Sequence, residues 1–280
     1  MQTHDTVSAM QQLARETRAA GQTLGLVPTM GALHQGHVDL IRLAATKCDI
    51  VVVSIFVNPA QFGPNEDFDR YPRALDDDLV KCREAGAHHI FLPAKATIYP
   101  DGYSTNIDEE SVAVPLEGES RPAFFRGVTT VVAKLFNIIQ PDVAVFGQKD
   151  AQQLAVVRKM VADLHIPVEV MAGPTTRDTD GLALSSRNAY LSKSQREGAR
   201  IIPRTLDKIK TMVDAGERRA ERVMAEATHL MAEEGRVRVI YVAVVDPNTM
   251  KKQLEIEPGN SLLVVAAWVD QTRLIDNILL

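Results

Sequence analysis

The sequence has little cysteine, no long apolar run and no excess of positive charge. Its two cysteines, Cys48 and Cys82, are too few for a disulfide framework, which indicates small buried thiols in a reducing compartment. No stretch approaches the roughly 18 apolar residues of a membrane helix, and residues 1–20 contain no signal-peptide core. The net charge of −5 argues against nucleic acid and membrane surfaces as partners. The composition therefore predicts a soluble, cytoplasmic protein.

Short apolar runs alternate with amphipathic stretches through the first part of the chain. The predicted strands are residues 23–27, 50–57, 89–92, 143–146 and 167–171. The predicted helices are residues 38–45, 76–85, 128–139 and 151–164. This alternation predicts an α/β fold with a doubly wound, Rossmann-like parallel sheet, in which ligands bind at the carboxyl ends of the strands.

The pattern changes after about residue 175. Charged amphipathic stretches at 195–213 and 217–234 predict helices, and apolar stretches at 236–245 and 261–269 predict strands. We therefore expect two domains. Residues 1–175 form the Rossmann-like domain, and residues 176–280 form a smaller C-terminal α+β domain.

A turn between a predicted strand and a predicted helix carries two glycines and two histidines. Residues 28–37 read Pro-Thr-Met-Gly-Ala-Leu-His-Gln-Gly-His. A helix N-terminus attracts anions, and Gly31 and Gly36 let the backbone approach a ligand closely. His34 and His37, three residues apart, can face the same anion. An ordinary turn with two surface histidines would have the same pattern, so this segment alone leaves both interpretations open.

Two other polar clusters can serve a phosphate ligand. Lys149, in Gly-Gln-Lys-Asp at residues 147–150, is a compact cation that can reach polyphosphate oxygens, although a capping turn with a solvated lysine fits as well. Ser185, Ser186 and Arg187 form a compact set of donors for phosphate, the alternative being a linker between domains.

Three aspartates open the predicted helix at residues 76–85. Carboxylates at that position complement the helix dipole, which favours a structural role. Because nucleotide-bound magnesium usually takes one or two carboxylates, Asp77 and Asp78 are also candidate Mg²⁺ ligands.

Taken together, these motifs resemble the pantoate–β-alanine ligase family (the pantothenate synthetases) of the His-x-Gly-His nucleotidyltransferase superfamily. The resemblance extends over essentially the whole chain and is carried by residues 28–37, 54–62, 146–154, 180–188 and 274–277. The His-x-Gly-His element marks only the superfamily. The block Asn-Pro-Ala-Gln-Phe at 58–62 and the block Ser-Ser-Arg-Asn at 185–188 are much more specific.

The resemblance implies an ATP-dependent ligation in two steps. Pantoate attacks the α-phosphate of ATP to give pantoyl adenylate and pyrophosphate, and the amine of β-alanine then displaces AMP to give pantothenate. The resemblance also implies Mg²⁺ that arrives with ATP, no organic prosthetic group, a C-terminal domain that closes over the ATP site, and a homodimer formed through the N-terminal domain.

The family's functional residues fall on matching positions of this sequence. The implied ATP contacts are Met30, Gly31, Ala32, Leu33, His34, Gln35, Gly36, His37, Gly147, Gln148, Lys149, Asp150, Thr176, Leu184, Ser185, Ser186 and Arg187. The implied catalytic residues are His34, His37, Lys149 and Arg187, with His37 as proton donor. Gln61 and Gln153 would bind pantoate, and Gln61 would also border β-alanine. Asn58 and Arg121 are weaker assignments near the substrates.

The sequence departs from the family pattern at two places. Gln148 stands where glutamate is common, and Arg-Pro-Ala-Phe-Phe at residues 121–125 stands where Arg-Pro-Gly-His-Phe is common. The second departure puts a role for position 124 in doubt.

Two other functions fit part of the pattern. A nucleotidyltransferase that stops after AMP transfer to a phosphate would need a basic acceptor pocket, whereas Gln61 and Gln153 are neutral. A nucleotide sensor without chemistry would be expected to lose His37, Lys149 or the glutamines, and all are present.

Overall fold

The computed structural model describes residues 1–280, and the chain forms two compact units. The first unit comprises Met1–Gln148 and Val156–Pro174, and the second comprises Lys149–Ala155 and Thr175–Leu280. The sequence pattern predicted one boundary after residue 175, whereas Lys149–Ala155 also groups with the C-terminal part. None of the helices has both the length and the apolar character needed to span a bilayer.

The secondary structure comprises nine strands, ten α-helices and three 3₁₀ turns. The strands are β1 (Gln2–His4), β2 (Leu24–Thr29), β3 (Ile50–Ile55), β4 (His89–Phe91), β5 (Val143–Gly147), β6 (Glu169–Gly173), β7 (Val237–Val245), β8 (Leu262–Val269) and β9 (Thr272–Leu279). The α-helices are α1 (Val7–Ala19), α2 (Gln35–Ala45), α3 (Leu75–Ala85), α4 (Lys95–Ile98), α5 (Glu117–Ser120), α6 (Phe124–Ile139), α7 (Ala151–Asp163), α8 (Lys193–Ala199), α9 (Ile201–Asp214) and α10 (Ala220–Ala232). The 3₁₀ turns are Pro59–Gln61, Gln148–Asp150 and Ser186–Tyr190.

The first unit is built on a six-stranded sheet in the order β1-β4-β3-β2-β5-β6. All neighbouring strands are parallel. Strands covered on both faces are expected to be apolar throughout, and Val51, Val52 and Val53 of β3 are indeed fully buried. This arrangement confirms the predicted doubly wound α/β sheet.

The order in which the parallel strands are added to the sheet reverses between β2 and β5. The chain passes from β2 to β3 and β4 on one side, while β5 is followed by β6 on the other. Strands β2 and β5 pair directly, Gly25 with Val143 and Leu26 with Ala144. Because ligands of such sheets bind at the carboxyl ends of the strands at this switch point, the residues after Thr29 and around Gly147 occupy the expected position.

The second unit contains a three-stranded antiparallel sheet in the order β7-β8-β9. Helices α9 and α10 contribute its apolar core together with the strands. The buried side chains of this core include Ile202, Leu206, Ile209, Val223, Ala227, Met231, Val244, Leu263 and Val265. The small α+β architecture was predicted from the alternation of charged helical and apolar strand patterns.

Several elements differ from the sequence prediction. The short strand β1, the helix α1 and the C-terminal strand β9 were not predicted, and the helix expected at 195–213 is divided at Arg200 into α8 and α9. The division places Pro203 in the first turn of α9, where a missing N–H breaks no intrahelical bond.

Candidate active site

The turn after β2 has a strained backbone. Gly31 and Ala32 both adopt positive φ angles, of +82° and +52°. This conformation is unfavourable for a residue with a Cβ, so Ala32 requires support from its surroundings. Thr29 provides part of this support, because its hydroxyl accepts the N–H of Gly31 at 3.2 Å and donates to the carbonyl of Ser54 at 2.8 Å.

Two side chains of α3 hold the same turn. The carboxylate of Asp78 accepts the N–H of Ala32 at 2.8 Å and that of Leu33 at 2.7 Å. The ammonium of Lys81 donates to the carbonyl of Leu33 at 2.8 Å. Asp78 is only 1% exposed, and two charge-assisted bonds compensate the burial of its carboxylate. The structure therefore gives Asp78 a positioning role that the sequence did not predict.

The aspartates of α3 do not form a metal-binding cluster. Asp77 is exposed, and both oxygens of Asp78 accept backbone hydrogen bonds. The structure contains no group of three or more His, Cys, Asp or Glu residues suited to hold a metal ion. An ion that enters with ATP would keep phosphate oxygens and water among its ligands. The assignment of Asp77 and Asp78 to Mg²⁺ stays a prediction.

The two histidines of the turn lie against each other. His34 is the N-cap of α2, and its backbone N–H donates to Nδ1 of His37 at 3.2 Å. The ring centroids are 4.1 Å apart. Because a backbone N–H can only donate, Nδ1 of His37 must accept, which places the hydrogen of the neutral ring on Nε2.

Gln61 contacts this turn within the first unit. Its amide nitrogen lies 3.3 Å from the sulfur of Met30, and its amide oxygen accepts from Asn58 at 3.0 Å. Asn58, 1% exposed, also donates to the carbonyl of Gly127 at 3.1 Å and accepts the hydroxyl of Tyr99 at 2.8 Å. Burial raises the pKa of Tyr99 to about 12, so its hydroxyl remains a donor. This network orients the Gln61 amide with its nitrogen toward Met30.

Gly127 permits the close packing of α6 against the turn Pro59–Gln61. A Cβ at Gly127 would lie 2.3 Å from the carbonyl oxygen of Ala60. Any larger residue would displace the turn that carries Gln61, so this glycine is required for the geometry of the site.

Arg121 ties the backbone of Gln61 to the segment before α6. Its side chain is 13% exposed, binds Glu66 through two bonds of 2.6 and 2.7 Å, and donates to the carbonyl of Gln61 at 3.2 Å. The guanidinium also lies 3.7 Å from the ring centroid of Phe124. The departure from the family pattern at position 124 therefore has a structural use, since an aromatic ring supports the arginine there.

Lys149 and Gln153 lie in the part of the chain that groups with the second unit. The Lys149 side chain is 18% exposed, and its ammonium lies 3.7 Å from a carboxylate oxygen of Asp150. Gln153 lies in the first turn of α7 and is half-buried. Gly147 ends β5 and Gln148 begins the following 3₁₀ turn, and both belong to the first unit.

The remaining predicted nucleotide residues form a connected loop in the second unit. The N–H of Leu184 donates to the carbonyl of Thr176 at 2.9 Å. Ser185 caps the 3₁₀ turn Ser186–Tyr190, and its hydroxyl accepts the N–H of Arg187 at 3.3 Å. The structure thus brings together Thr176 and residues 184–187, which the sequence separates.

Comparison with known proteins gives matches over almost the whole chain. The family model described as pantoate-beta-alanine ligase matches residues 2–279. A pantothenate synthetase of Syntrophobacter fumaroxidans is 49% identical over 276 residues, which cover 99% of this chain and 97% of that relative. These matches confirm the resemblance found in the sequence.

Solved structures of similar proteins share the fold. The pantothenate synthetase of Thermus thermophilus has a TM-score of 0.93 at 41% identity, with 99% of each chain covered. A pantoate-beta-alanine ligase of Francisella tularensis, complexed with beta-gamma ATP and beta-alanine, has a TM-score of 0.79 at 33% identity, covering 100% of this chain and 97% of that one.

Proposed function

The chain belongs to the pantoate–β-alanine ligase family, and on this premise we propose that it forms pantothenate from pantoate, β-alanine and ATP through a pantoyl-adenylate intermediate. The observation that carries the proposal is the family match over residues 2–279, in a chain that keeps His34, His37, Gln61 and Lys149.

The first step explains why the site needs several donors. A carboxylate is a poor acyl donor, because its leaving group would be oxide, and adenylation supplies a much better one. The step brings the anionic carboxylate against a triphosphate, so donors and cations must spread the developing charge. His34, His37, Lys149 and Arg187 are our candidates for this role.

His37 acts in this proposal as a neutral donor through Nε2. Protonation at Nδ1 would set two donors against each other, because the N–H of His34 already points at that atom. The neutral ring can stabilise charge on a phosphate oxygen or transfer its Nε2 proton without first becoming a cation.

The nucleotide contacts in this proposal come from both units. The first unit supplies residues 30–37 together with Gly147 and Gln148, and the second supplies Lys149, Asp150, Thr176 and residues 184–187. Mg²⁺ accompanies ATP as part of the substrate, with its coordination completed by phosphate oxygens and water.

Gln61 and Gln153 are the proposed pantoate ligands. The bond from Asn58 to the amide oxygen of Gln61 leaves its nitrogen as the group that faces the turn, which suits hydroxyl and carboxylate oxygens of pantoate. A neutral amide binds these oxygens without a competing charge. Gln61 would also border β-alanine, whose amine displaces AMP in the second step.

One assay separates this function from the two alternatives. Purified protein is supplied with ATP, pantoate and β-alanine, and AMP, pyrophosphate and pantothenate are followed. Pantothenate with stoichiometric AMP supports the ligase. Pyrophosphate release without any response to β-alanine would indicate a nucleotidyltransferase, and ATP binding without turnover would indicate a sensor.

Cytoplasmic location, expected from the composition, and homodimeric assembly through the first unit, implied by the family resemblance, are further parts of this proposal. Sedimentation equilibrium of the purified chain tests the assembly, and a mass of one chain at micromolar concentration would exclude a stable dimer.

A further inference from the structure

Strand β9 carries two adjacent buried polar residues. Asp276 is 3% exposed and Asn277 is 6% exposed. Burial of a carboxylate or an amide costs free energy unless its polar atoms are bonded, so these residues must have specific partners. They lie in the motif at residues 274–277, to which neither the sequence analysis nor the proposed mechanism gives a role.

Asn277 is bonded to the segment that carries Lys149. Its amide nitrogen donates to the backbone carbonyl of Lys149 at 2.9 Å. The bond is made to the main chain, so it fixes the position of residue 149 whatever side chain stands there. Asn277 therefore fixes the backbone from which the Lys149 side chain extends.

Asp276 is bonded to the loop that carries the other nucleotide residues of the second unit. The guanidinium of Arg177 donates to its two carboxylate oxygens at 2.6 and 3.0 Å. The same guanidinium donates to the carbonyl of Gly181 at 3.1 Å, across the loop. Bidentate pairs of this kind fix orientation as well as distance. Asp276 therefore holds the base of the loop, next to Thr176 and its bond to Leu184.

We infer that Asp276 and Asn277 are positioning residues that hold the Lys149 segment and the 176–187 loop on one strand, in register for the triphosphate of ATP. Asp276 and Asn277 are consecutive residues with Cα atoms about 3.8 Å apart, so the same short stretch of β9 supports both segments. A displacement of about 1 Å at a reacting group can cost about a hundredfold in rate, which gives such a support a direct effect on catalysis. The inference rests on the proposed roles of Lys149 and Arg187 in the adenylation step.

A double-mutant cycle between Asn277 and Lys149 tests this inference. We expect Asn277→Ala to raise the KM for ATP and to slow pantoate-dependent pyrophosphate release about tenfold, while the KM for β-alanine is unchanged. In the Lys149→Ala background, Asn277→Ala should cause little further loss, because the group it positions is gone. Ser261→Ala is the matched control, since Ser261 is buried in the same unit and accepts the N–H of Glu257 at 2.8 Å. It should lower stability without a change in the KM for ATP.

Fully additive losses, or an unchanged KM for ATP in Asn277→Ala, would overturn the inference. The Lys149→Ala variant alone tests the proposed function, so failure of that function and failure of the positioning role give different results. If Asn277→Ala does not fold, Asp276→Asn is measured in a cycle with Arg187→Ala, because it keeps the side-chain shape and weakens the pair with Arg177 that holds the loop of Arg187.

Discussion

The two units support their candidate phosphate-binding segments in different ways. In the first unit a helix, α3, holds one strained turn through Asp78 and Lys81, which bond to the backbone of Ala32 and Leu33. In the second unit a strand, β9, holds two separate segments through adjacent residues. In both cases the supporting residue lies more than forty positions from the segment it supports. The supports are therefore tertiary contacts, and the motifs proposed to bind substrate do not contain them.

The units also differ in the chemistry they offer. The candidate residues of the first unit are the imidazoles of His34 and His37 and the amide of Gln61, of which the His37 ring and the Gln61 amide are oriented by hydrogen bonds to neighbours. The second presents the cations Lys149 and Arg187.

The largest effects are expected from the groups placed on the phosphates, one from each unit. Lys149→Ala and His37→Ala should each slow adenylation at least about a hundredfold, the scale for loss of a preorganised donor to a developing charge. Steady-state formation of AMP and pantothenate measures both. A loss below about threefold in either variant would contradict the role that we propose for that residue in adenylation.

A smaller effect is expected when the support of the first unit is weakened. Asp78→Asn replaces one acceptor oxygen by an amide nitrogen, which cannot accept the N–H groups of the turn. We expect the KM for ATP to rise about tenfold and the free energy of unfolding to fall by about 1–3 kcal/mol, the cost of an unsatisfied buried group. The exposed neighbour Asp76, changed to Asn, is the control and should alter neither quantity.

Magnesium titration of the Asp78→Asn variant distinguishes support from metal binding. If Asp78 holds the turn, the Mg²⁺ concentration for half-maximal activity stays the same as in the unchanged enzyme. A tenfold increase in that concentration, with unfolding unaffected, would instead make Asp78 a metal ligand and contradict the account of the first unit.

Loss or misorientation of the Gln61 amide, our proposed pantoate ligand, should reduce activity less than loss of a phosphate contact. Gln61→Ala should raise the KM for pantoate about tenfold with little change in the KM for ATP. Tyr99→Phe removes one hydrogen bond to Asn58, worth about 1 kcal/mol, and should raise the same constant by about fivefold or less. An unchanged pantoate dependence in Gln61→Ala would count against this placement.

The last effect concerns the acid stability of the first unit and leaves catalysis unchanged. Burial, aided by the neighbouring His4, lowers the pKa of His89 from 6.5 to about 4. The unfolded chain therefore binds a proton below about pH 6.5 that the folded chain takes up only near pH 4. The resulting stability is present above pH 6.5 and is lost as the pH falls toward 4. Because the ring is partly exposed, we expect a loss of about 1–2 kcal/mol.

Denaturant unfolding of His89→Leu between pH 7 and pH 4 measures this contribution. The variant should lose less stability over that interval than the unchanged chain. Equal losses in the two proteins would show that His89 does not carry the acid sensitivity.

The sequence predicted the parts of the fold whose patterns are local. Buried parallel strands such as β3 are mainly apolar runs, so their existence could be predicted from the local sequence pattern. Strand β9 was missed because Asp276 and Asn277 interrupt its apolar pattern, and they do so because they are buried supports rather than surface residues. Strand β1 is a three-residue edge strand with exposed polar side chains, and α1 buries few residues, so neither had a strong pattern.

Prediction of the candidate site from the sequence was likewise limited to local patterns. The residues that we propose to contact substrate lie in compact motifs, which are recognisable in the sequence. Asp78, Lys81, Tyr99 and Gly127 act through contacts with distant segments, and no spacing rule reveals a bond between positions 32 and 78. Asp78 was interpreted through the helix dipole or magnesium because those are the local interpretations of an aspartate at a helix start.

We propose that His37 and Lys149 act in the adenylation step. Rapid-quench measurement of pyrophosphate release from ATP and pantoate, without β-alanine, tests it most directly when the unchanged enzyme is compared with His37→Ala and Lys149→Ala. We expect a burst of about one pyrophosphate per active site in the unchanged enzyme. The burst should be at least about a hundredfold slower in each variant. Each variant should still convert preformed pantoyl adenylate and β-alanine to pantothenate at the normal rate. A burst that requires β-alanine, or one that either variant leaves unchanged, would contradict it.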